Sequence, residues 1–415
     1  MSNNIPIPAE YIKNFEQLGF GMFVHFGLYS KLTKGEWTYH MHQRNMDDYK
    51  KIADSFNVKA DSIKNLVATA KTAGCKYITL TTRHHDGFSL YDTKGLNEFD
   101  ALHTPTGRDL IKEFVEECRN EDILPVFYHT TLDWYNEDFN QDFNKYLEYL
   151  KKSVELLCTN YGKIGGLWFD GNWSRPNDDW KEDELYSMIR RLQPEAMIIN
   201  NTGLSKRGEL GAAEIDSVTF ERGMPHPIDR RGMKKYITGE MCETLCDHWG
   251  VADDINFKSV KQLIEELCEC RKVGANFLLN VGPAGDGSLP KMQEATMECI
   301  GRWMELFGKS IYNGRPCNIL SKGREFMLQD VTDKKNLYLF KFDLGKKGDN
   351  NVTVDFADGN SVEFPNFNNE VDSVKWMDNG EELAFKQQNG LLSVRPTGYI
   401  YGTSYCVRVA EVKLK

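Results

Sequence analysis

Six short apolar runs of this sequence end in residues that can move protons, donate hydrogen bonds or carry negative charge. FGMFVHFG delivers His25, CKYITLTTRHHDG delivers His84, His85 and Asp86, and ILPVFYHTTLDW delivers Tyr128 and His129. GGLWFDG stops at Asp170, AMIINN at Asn200 and Asn201, and SVTFE at Glu221. Asp170 poses the sharpest question, because an ionised carboxylate after Leu-Trp-Phe is costly to bury unless it caps, pairs with a cation or does chemistry. Each residue alone has a structural reading. His25 could be a hydrogen-bonded core histidine, Asp170 with Gly171 could cap a turn, and Glu221 could pair with Arg222 or another cation. His84 and His85 could ligate a metal, but neighbours on a strand point to opposite faces, so at most one faces a common site unless the strand has already ended. No metal site is therefore expected. Coincidence is the poorer explanation for six such ends. Two carboxylates at nearby strand ends, among His, Tyr and Trp, suit glycoside hydrolysis. One attacks the anomeric carbon while the other protonates the leaving oxygen and then deprotonates a water. That chemistry requires no metal and no organic cofactor. A Ser-His-Asp hydrolase is less attractive, since the chain has no G-x-S-x-G elbow.

These ends need a scaffold that gathers them. Apolar runs at 20–27, 75–87, 123–134, 165–171, 196–201, 217–221, 239–244 and 276–282 read as strands. Helical patterns at 59–74, 108–121, 141–160, 181–192, 258–274 and 291–307 separate most of them. Eight such strands predict a (β/α)8-like, TIM-type parallel barrel, whose reacting groups sit at the C-terminal strand ends. An open doubly wound sheet is the competing arrangement, but its G-x-G-x-x-G turn is absent. Beyond the last helix the pattern changes to short, partly alternating stretches. NLYLFKFDLG, NVTVDFADG, SVEFP, SVKWMDNG, LAFKQQNG, LLSVRP and YCVRVAEVKLK are separated by Gly, Asn and Asp. They predict an antiparallel β-sandwich. The expected division is a catalytic barrel over 1–312 and a β-sandwich domain over 313–415.

A chain of 415 residues exceeds what one core usually supports, in keeping with two domains. Its formal net charge of -10 argues against a nucleic-acid partner, which requires concentrated basic surface. The N-terminal segment has no basic region followed by a long apolar stretch, and no later run approaches a membrane span. No membrane partner is expected. The ten cysteines are scattered, and Cys268 and Cys270 have no second pair at zinc-ligand spacing. Reduced thiols and a cytoplasmic location are the favoured reading. The sequence permits a homo-oligomer without specifying one.

The motifs GMFVHFGLYS, GEW, TRHHDGFSLYDT, FYHTTLDW, LWFDG, TFERGMP, HWG and LLNVGPAGDGSLP occur in this order from about residue 19 to 290. Together they resemble the α-L-fucosidases of glycoside hydrolase family 29. The resemblance implies a retaining exo-glycosidase that removes terminal α-L-fucose from fucosylated oligosaccharides or glycosides through a covalent glycosyl-enzyme intermediate. It implies that Asp170 is the nucleophile, and that His25, Glu36, Trp37, His84, His85, Tyr128 and Trp168 hold the sugar. Glu221, in the T-x-E-x-x-x-P stretch, is the preferred acid/base, with Glu214 and Glu240 as rivals. Such a set suits fucose, whose hydroxyls need polar partners and whose methyl needs an aromatic face. Two departures stand out. Many relatives carry an Arg shortly after the fifth strand, where this chain has Asn201 and Thr202, with Arg207 further along the loop. The segment GEMCETLCDHWGV also lacks the Trp that commonly precedes its Glu. An α-L-galactosidase is the nearest enzymatic alternative, since a methyl-sized pocket discriminates weakly against one added hydroxyl. A sugar-binding protein without catalysis is the alternative from another class.

Overall fold

The structure is a computed structural model that describes residues 5–201, 212–345 and 360–415. The expected strand NVTVDFADG and the loop residues Thr202 and Arg207 lie outside the described residues. By compactness the chain separates into two units, one of residues 1–258 and 276–298 and the other of 259–275 and 299–415.

The first unit is built on a closed barrel of eight strands in sequence order. They are β1 (Phe20–Val24), β2 (Tyr77–Arg83), β3 (Leu124–Thr130), β4 (Gly166–Asp170), β5 (Met197–Asn201), β6 (Ser217–Glu221), β7 (Thr238–Thr244) and β8 (Ala275–Val281). The strands pair in parallel, with β8 closing onto β1. Closure settles the choice between a barrel and an open sheet. Every residue of β2, β7 and β8 is buried, as expected of strands packed on both faces. Inward-facing Phe23, Tyr77, Val126, Tyr128, Trp168, Met197, Ile199, Cys242 and Leu278 fill the interior. The N-terminal helix Glu10–Leu18 contributes Ile12 and Phe15 to the same cluster, with the Phe15 ring 5.1 Å from that of Tyr77. That plug makes the barrel a packed core open for binding at its other end.

The connecting helices form where apolar residues recur at helical spacing behind a capping side chain. In helix Leu110–Asn120 the buried Leu110, Ile111, Phe114, Val115 and Cys118 make one stripe, and Asp109 accepts a hydrogen bond from the Lys112 N–H. In helix Phe143–Asn160, Asp142 caps in the same way through Lys145. Among the described residues no helix lies between β5 and β7. The β6–β7 connection carries Pro225, Pro227 and Gly232, which interrupt helical periodicity. No helix among the described residues is long and apolar enough to cross a membrane.

The second unit contains the expected antiparallel sheets. Five strands run in the order β13-β16-β11-β10-β9 and three in the order β12-β15-β14. These are β9 (Gly314–Leu320), β10 (Phe326–Asp330), β11 (Asn336–Lys341), β12 (Val362–Pro365), β13 (Val371–Trp376), β14 (Ala384–Gln388), β15 (Leu391–Arg395) and β16 (Arg408–Leu414). Leu337, Leu339, Val374, Trp376, Val394 and Val412 meet between the sheets. β9 and β10 are absent from the sequence expectation. After the buried Gly314, GRPCNIL alternates half-buried and exposed positions and carries Pro316 and polar residues, and FMLQD is short. The preceding helix also runs to Asn313, beyond the expected end at Phe307.

Candidate active site

Strand alternation decides which polar ends share a space. On β4, Trp168 and Asp170 face inward while Phe169 packs outward on Tyr186, 5.7 Å between rings. On β3, Tyr128 faces inward. His129 turns outward, with Nδ1 2.8 Å from Thr82 Oγ1. On β5, Asn201 faces inward while Asn200 donates outward to the Tyr186 hydroxyl at 2.7 Å. On β6, Glu221 reaches the mouth. His25 follows directly after β1.

The second strand behaves differently from the sequence expectation. β2 ends at Arg83, so His84 and His85 lie beyond it in a turn closed by the Gly87 N–H to the His84 carbonyl at 3.0 Å. Both imidazoles enter the cavity, their rings 4.2 Å apart. The rule of opposite faces does not apply once the strand has ended. Among the described residues no group of three or more His, Cys, Asp or Glu is arranged to hold a metal ion.

The resulting cavity has a volume of about 420 Å³. Of the residues expected from the sequence, His25, Trp37, His84, His85, Tyr128, Trp168, Asp170 and Glu221 line it. Glu36 does not. Its Oε2 accepts the Trp249 and Gly250 N–H groups at 3.1 and 2.8 Å, so it anchors the loop that presents Trp249. Phe23, Trp173, Asn201 and Trp249 complete the lining. Trp173 and Trp249 received no role from the sequence, although they stand in GNW, directly after Asp170, and in HWG. Trp173 is brought back by Gly171, whose φ is 120° and whose Cα faces Leu132 so closely that a Cβ would come within 2.5 Å of the Leu132 nitrogen.

Asp170 lies at the centre of a donor shell. Tyr128 donates to Oδ2 at 3.0 Å, Trp173 Nε1 donates to Oδ1 at 2.9 Å, and Asn201 Nδ2 lies 3.3 Å from Oδ1. His85 Nε2 stands 3.5 Å from Oδ2. Burial pushes the Asp170 carboxyl upward, but His85, Trp173 and Tyr128 outweigh it and hold the group below the usual carboxylate range. Asn201 Nδ2 also donates to Glu221 Oε2 at 2.8 Å, and Asn201 Oδ1 accepts from the Thr219 hydroxyl at 3.0 Å. One amide nitrogen therefore serves both carboxylates.

The imidazoles are tuned by burial. His25 is pushed down to about 3 by desolvation, only partly opposed by its bond to Asn280. His84 is held well below its ordinary value by burial, with His85 and His25 adding to the effect. The His25 tautomer follows from its partner. Asn280 Nδ2 donates to the Trp249 carbonyl at 2.7 Å, leaving its Oδ1 to accept from His25 Nδ1 at 2.6 Å. Neutral His25 thus carries its proton on Nδ1 and offers Nε2 as an acceptor.

The rival glutamates fall elsewhere. Glu240 is buried beneath the cavity, accepting from Tyr77 at 2.6 Å and from Trp168 Nε1 at 2.9 Å. Glu214 pairs with Arg190 at 3.6 Å and Lys235 at 3.9 Å. Neither lines the cavity.

Comparison with known proteins gives a consistent picture. The α-L-fucosidase family model matches residues 7–309. An α-L-fucosidase of Dictyostelium discoideum is 24% identical over 385 residues, covering 83% of this chain and 80% of that protein. The tissue α-L-fucosidase of Homo sapiens is 25% identical over 343 residues, covering 76% and 71%. Among solved structures, α-L-fucosidase isoenzyme 1 from Paenibacillus thiaminolyticus is 31% identical with a TM-score of 0.83, covering 98% of this chain and 99% of that one. A glycoside hydrolase family 29 α-L-fucosidase from Bacteroides thetaiotaomicron, 21% identical, shares the fold at a TM-score of 0.82 over 100% and 97% of the two chains. With a matching family model over most of its length and a solved relative of near-equal extent, the chain belongs to the α-L-fucosidase family and is a glycoside hydrolase.

Proposed function

We propose that this protein is a retaining exo-α-L-fucosidase in which Asp170 is the nucleophile and Glu221 the acid/base. The observation that carries this reading is the shared Asn201 amide. Its two hydrogen bonds, 3.3 and 2.8 Å long, mean that an oxygen of Asp170 and one of Glu221 lie within about 6 Å of each other. That bound on one pair of oxygens is compatible with the roughly 5 to 5.5 Å between the carboxyl groups of a retaining pair. Asp170 attacks the anomeric carbon while Glu221 gives its proton to the glycosidic oxygen, and the bond to the leaving group breaks. Glu221 then takes a proton from water, whose oxygen attacks the same carbon and releases Asp170. Donors already aimed at Asp170 keep it ionised for the first step.

The substrate is a terminal fucose on an oligosaccharide or glycoside. A cavity of about 420 Å³, floored by Phe23 and Trp168, receives one sugar from one direction. The neutral His25 and His84 and the Tyr128 hydroxyl suit an uncharged polyol, while Trp37, Trp173 and Trp249 offer faces to its apolar edge. A related enzyme from Bacteroides thetaiotaomicron is described as a trapped covalent intermediate formed with 2-fluoro-fucosyl fluoride, which supports a double displacement here. The same reagent tests it. Mass spectrometry is expected to find the adduct on the peptide carrying Asp170, and NMR to find the α-anomer as first product. An inverted product, or labelling that persists in Asp170→Asn, would refute the assignment.

A further inference from the structure

The T-x-E spacing of β6 places Thr219 and Glu221 on the same face of the strand, two residues apart. Glu221 has a role in the proposed reaction, and Thr219 has none. Yet Thr219 is 3% exposed and its hydroxyl is spent on a single contact, the donation to Asn201 Oδ1 at 3.0 Å. An asparagine amide presents an oxygen on one side and an N–H2 on the other, and the side chain can rotate to exchange them. Turned one way it offers two donors to the carboxylates. Turned the other way it would set its oxygen against two anionic groups. The two carboxylates disfavour the second state, and in the first the hydroxyl of Thr219 donates to the amide oxygen and holds the side chain in place.

We propose that Asn201 and Thr219 form a device that fixes the nucleophile and the acid/base relative to each other. Asn201, in contact with Oδ1 of Asp170 and Oε2 of Glu221, is a catalytic residue, and Thr219 is a positioning residue that acts through it. This rests on the two-carboxylate reading above. The device meets a specific need. Two carboxylates within about 6 Å repel when both are ionised, and a donor shared between them offsets that repulsion while setting their spacing. The donor is neutral, so it does not bind either carboxylate so tightly that Glu221 cannot exchange its proton. The backbone supports the arrangement, since Asp170 and Asn201 are direct neighbours in the β4–β5 ladder. Asn201 is itself 4% exposed and cannot swing out to solvent without opening the strand ends.

The test is a double-mutant cycle read as kcat and KM on an aryl α-L-fucoside, with thermal melting as a check of folding. Asn201→Ala is expected to lower kcat/KM by about 10- to 100-fold, the loss of hydrogen bonds to charged groups, and to act mainly through kcat. Thr219→Val, which keeps the shape and removes the hydroxyl, is expected to lower kcat by about 3- to 10-fold, and Thr219→Ser to restore it to within about twofold. In the Asn201→Ala background, Thr219→Val is expected to add nothing, because its only route is through the amide. Asn201→Asp preserves volume and serves if the alanine variant does not fold. By placing an acceptor between two carboxylates, it should lose at least as much as the alanine variant. Independent, additive losses, kinetic parameters within about twofold of wild type in folded Asn201→Ala or Asn201→Asp, or failure of Thr219→Ser to rescue would each overturn the proposal. Failure of the underlying reading looks different. There, Asp170→Ala or Glu221→Ala would retain turnover, whereas here those variants stay inactive while the Asn201 and Thr219 variants behave normally.

Discussion

Glu240→Gln separates a buried structural carboxyl from the carboxylates proposed to react. Glu240 is 1% exposed, has no ion-pair partner among the described residues, and accepts from Tyr77 and Trp168. Desolvation raises its carboxyl from 4.5 to about 7, and the two hydrogen bonds recover only part of that cost. Below pH 4.5 the group is protonated in folded and unfolded chains alike, and no penalty exists. As pH rises toward 7 the unfolded chain releases a proton that the fold retains, so stability falls by about 1.4 kcal/mol per pH unit. Above about 7 the folded state carries the full cost, roughly 3 kcal/mol. The Glu240→Gln side chain would have no charge to bury and would keep one oxygen for Trp168 Nε1. The difference in stability between variant and wild type should therefore move in the variant's favour by roughly 3 kcal/mol between about pH 4.5 and 8. For a unit of this size that corresponds to about 5 °C or more in melting temperature. Paired melts at half-unit pH steps, followed by aromatic circular dichroism, measure it, and taking the difference cancels all other titrations. A difference that stays flat within about 1 kcal/mol across that range would refute the buried-charge argument. Turnover of an aryl fucoside by the variant should remain within about tenfold of wild type, less than the loss expected of an acid/base residue.

Two further outcomes follow from the site. Glu221→Ala should lose about 10²- to 10⁴-fold on substrates with poor leaving groups and far less on activated nitrophenyl fucosides, with azide restoring turnover; equal losses on both, with no azide rescue, would remove the acid/base role. Tyr128→Phe deletes one of the donors that hold Asp170 below the ordinary carboxylate range, so the acid limb of kcat/KM, where activity is lost as pH falls, should move to higher pH; a limb that stays in place or moves down would show that another group controls it.

The barrel was legible in the sequence because its strands are buried on both faces and read as continuous apolar runs, each closed by a turn and most followed by a helix. Polar groups at the ends of those runs marked the site for the same reason, since a buried strand has few other places for them. What escaped was set by distance in three dimensions. Glu36 stands in a motif that implies sugar contact, and one oxygen of its carboxylate, Oε2, accepts the Trp249 and Gly250 N–H groups, 213 and 214 residues away in sequence, which sequence reading could not place. Trp249 and Trp173 enter the cavity through loops whose course depends on such tertiary anchors. For His84 and His85 the outcome turns on one residue of strand length, because the end of β2 at Arg83 decides whether the alternation rule applies. In the C-terminal unit, β9 has one buried position and β10 is short, so each becomes recognisable as a strand only through its antiparallel pairing.

The electrostatics of the cavity point to one design rule. The proposed substrate is uncharged, so no group is required to meet a charge in the ground state, and burial keeps His25 and His84 unprotonated and Tyr128 protonated. Neutral imidazoles also read hydroxyl orientation. His25 with its proton fixed on Nδ1 can only accept at Nε2, so it selects a hydroxyl that donates toward it, a constraint an imidazolium would reverse. Ionised character is reserved for Asp170, whose donor shell favours the anion, while Glu221 must change protonation during the cycle. A full positive charge placed between these two carboxylates would hold both ionised and hinder proton donation by Glu221. A neutral amide orients them without that penalty, which makes Asn201 at the end of β5 a physically reasonable occupant of the space between them.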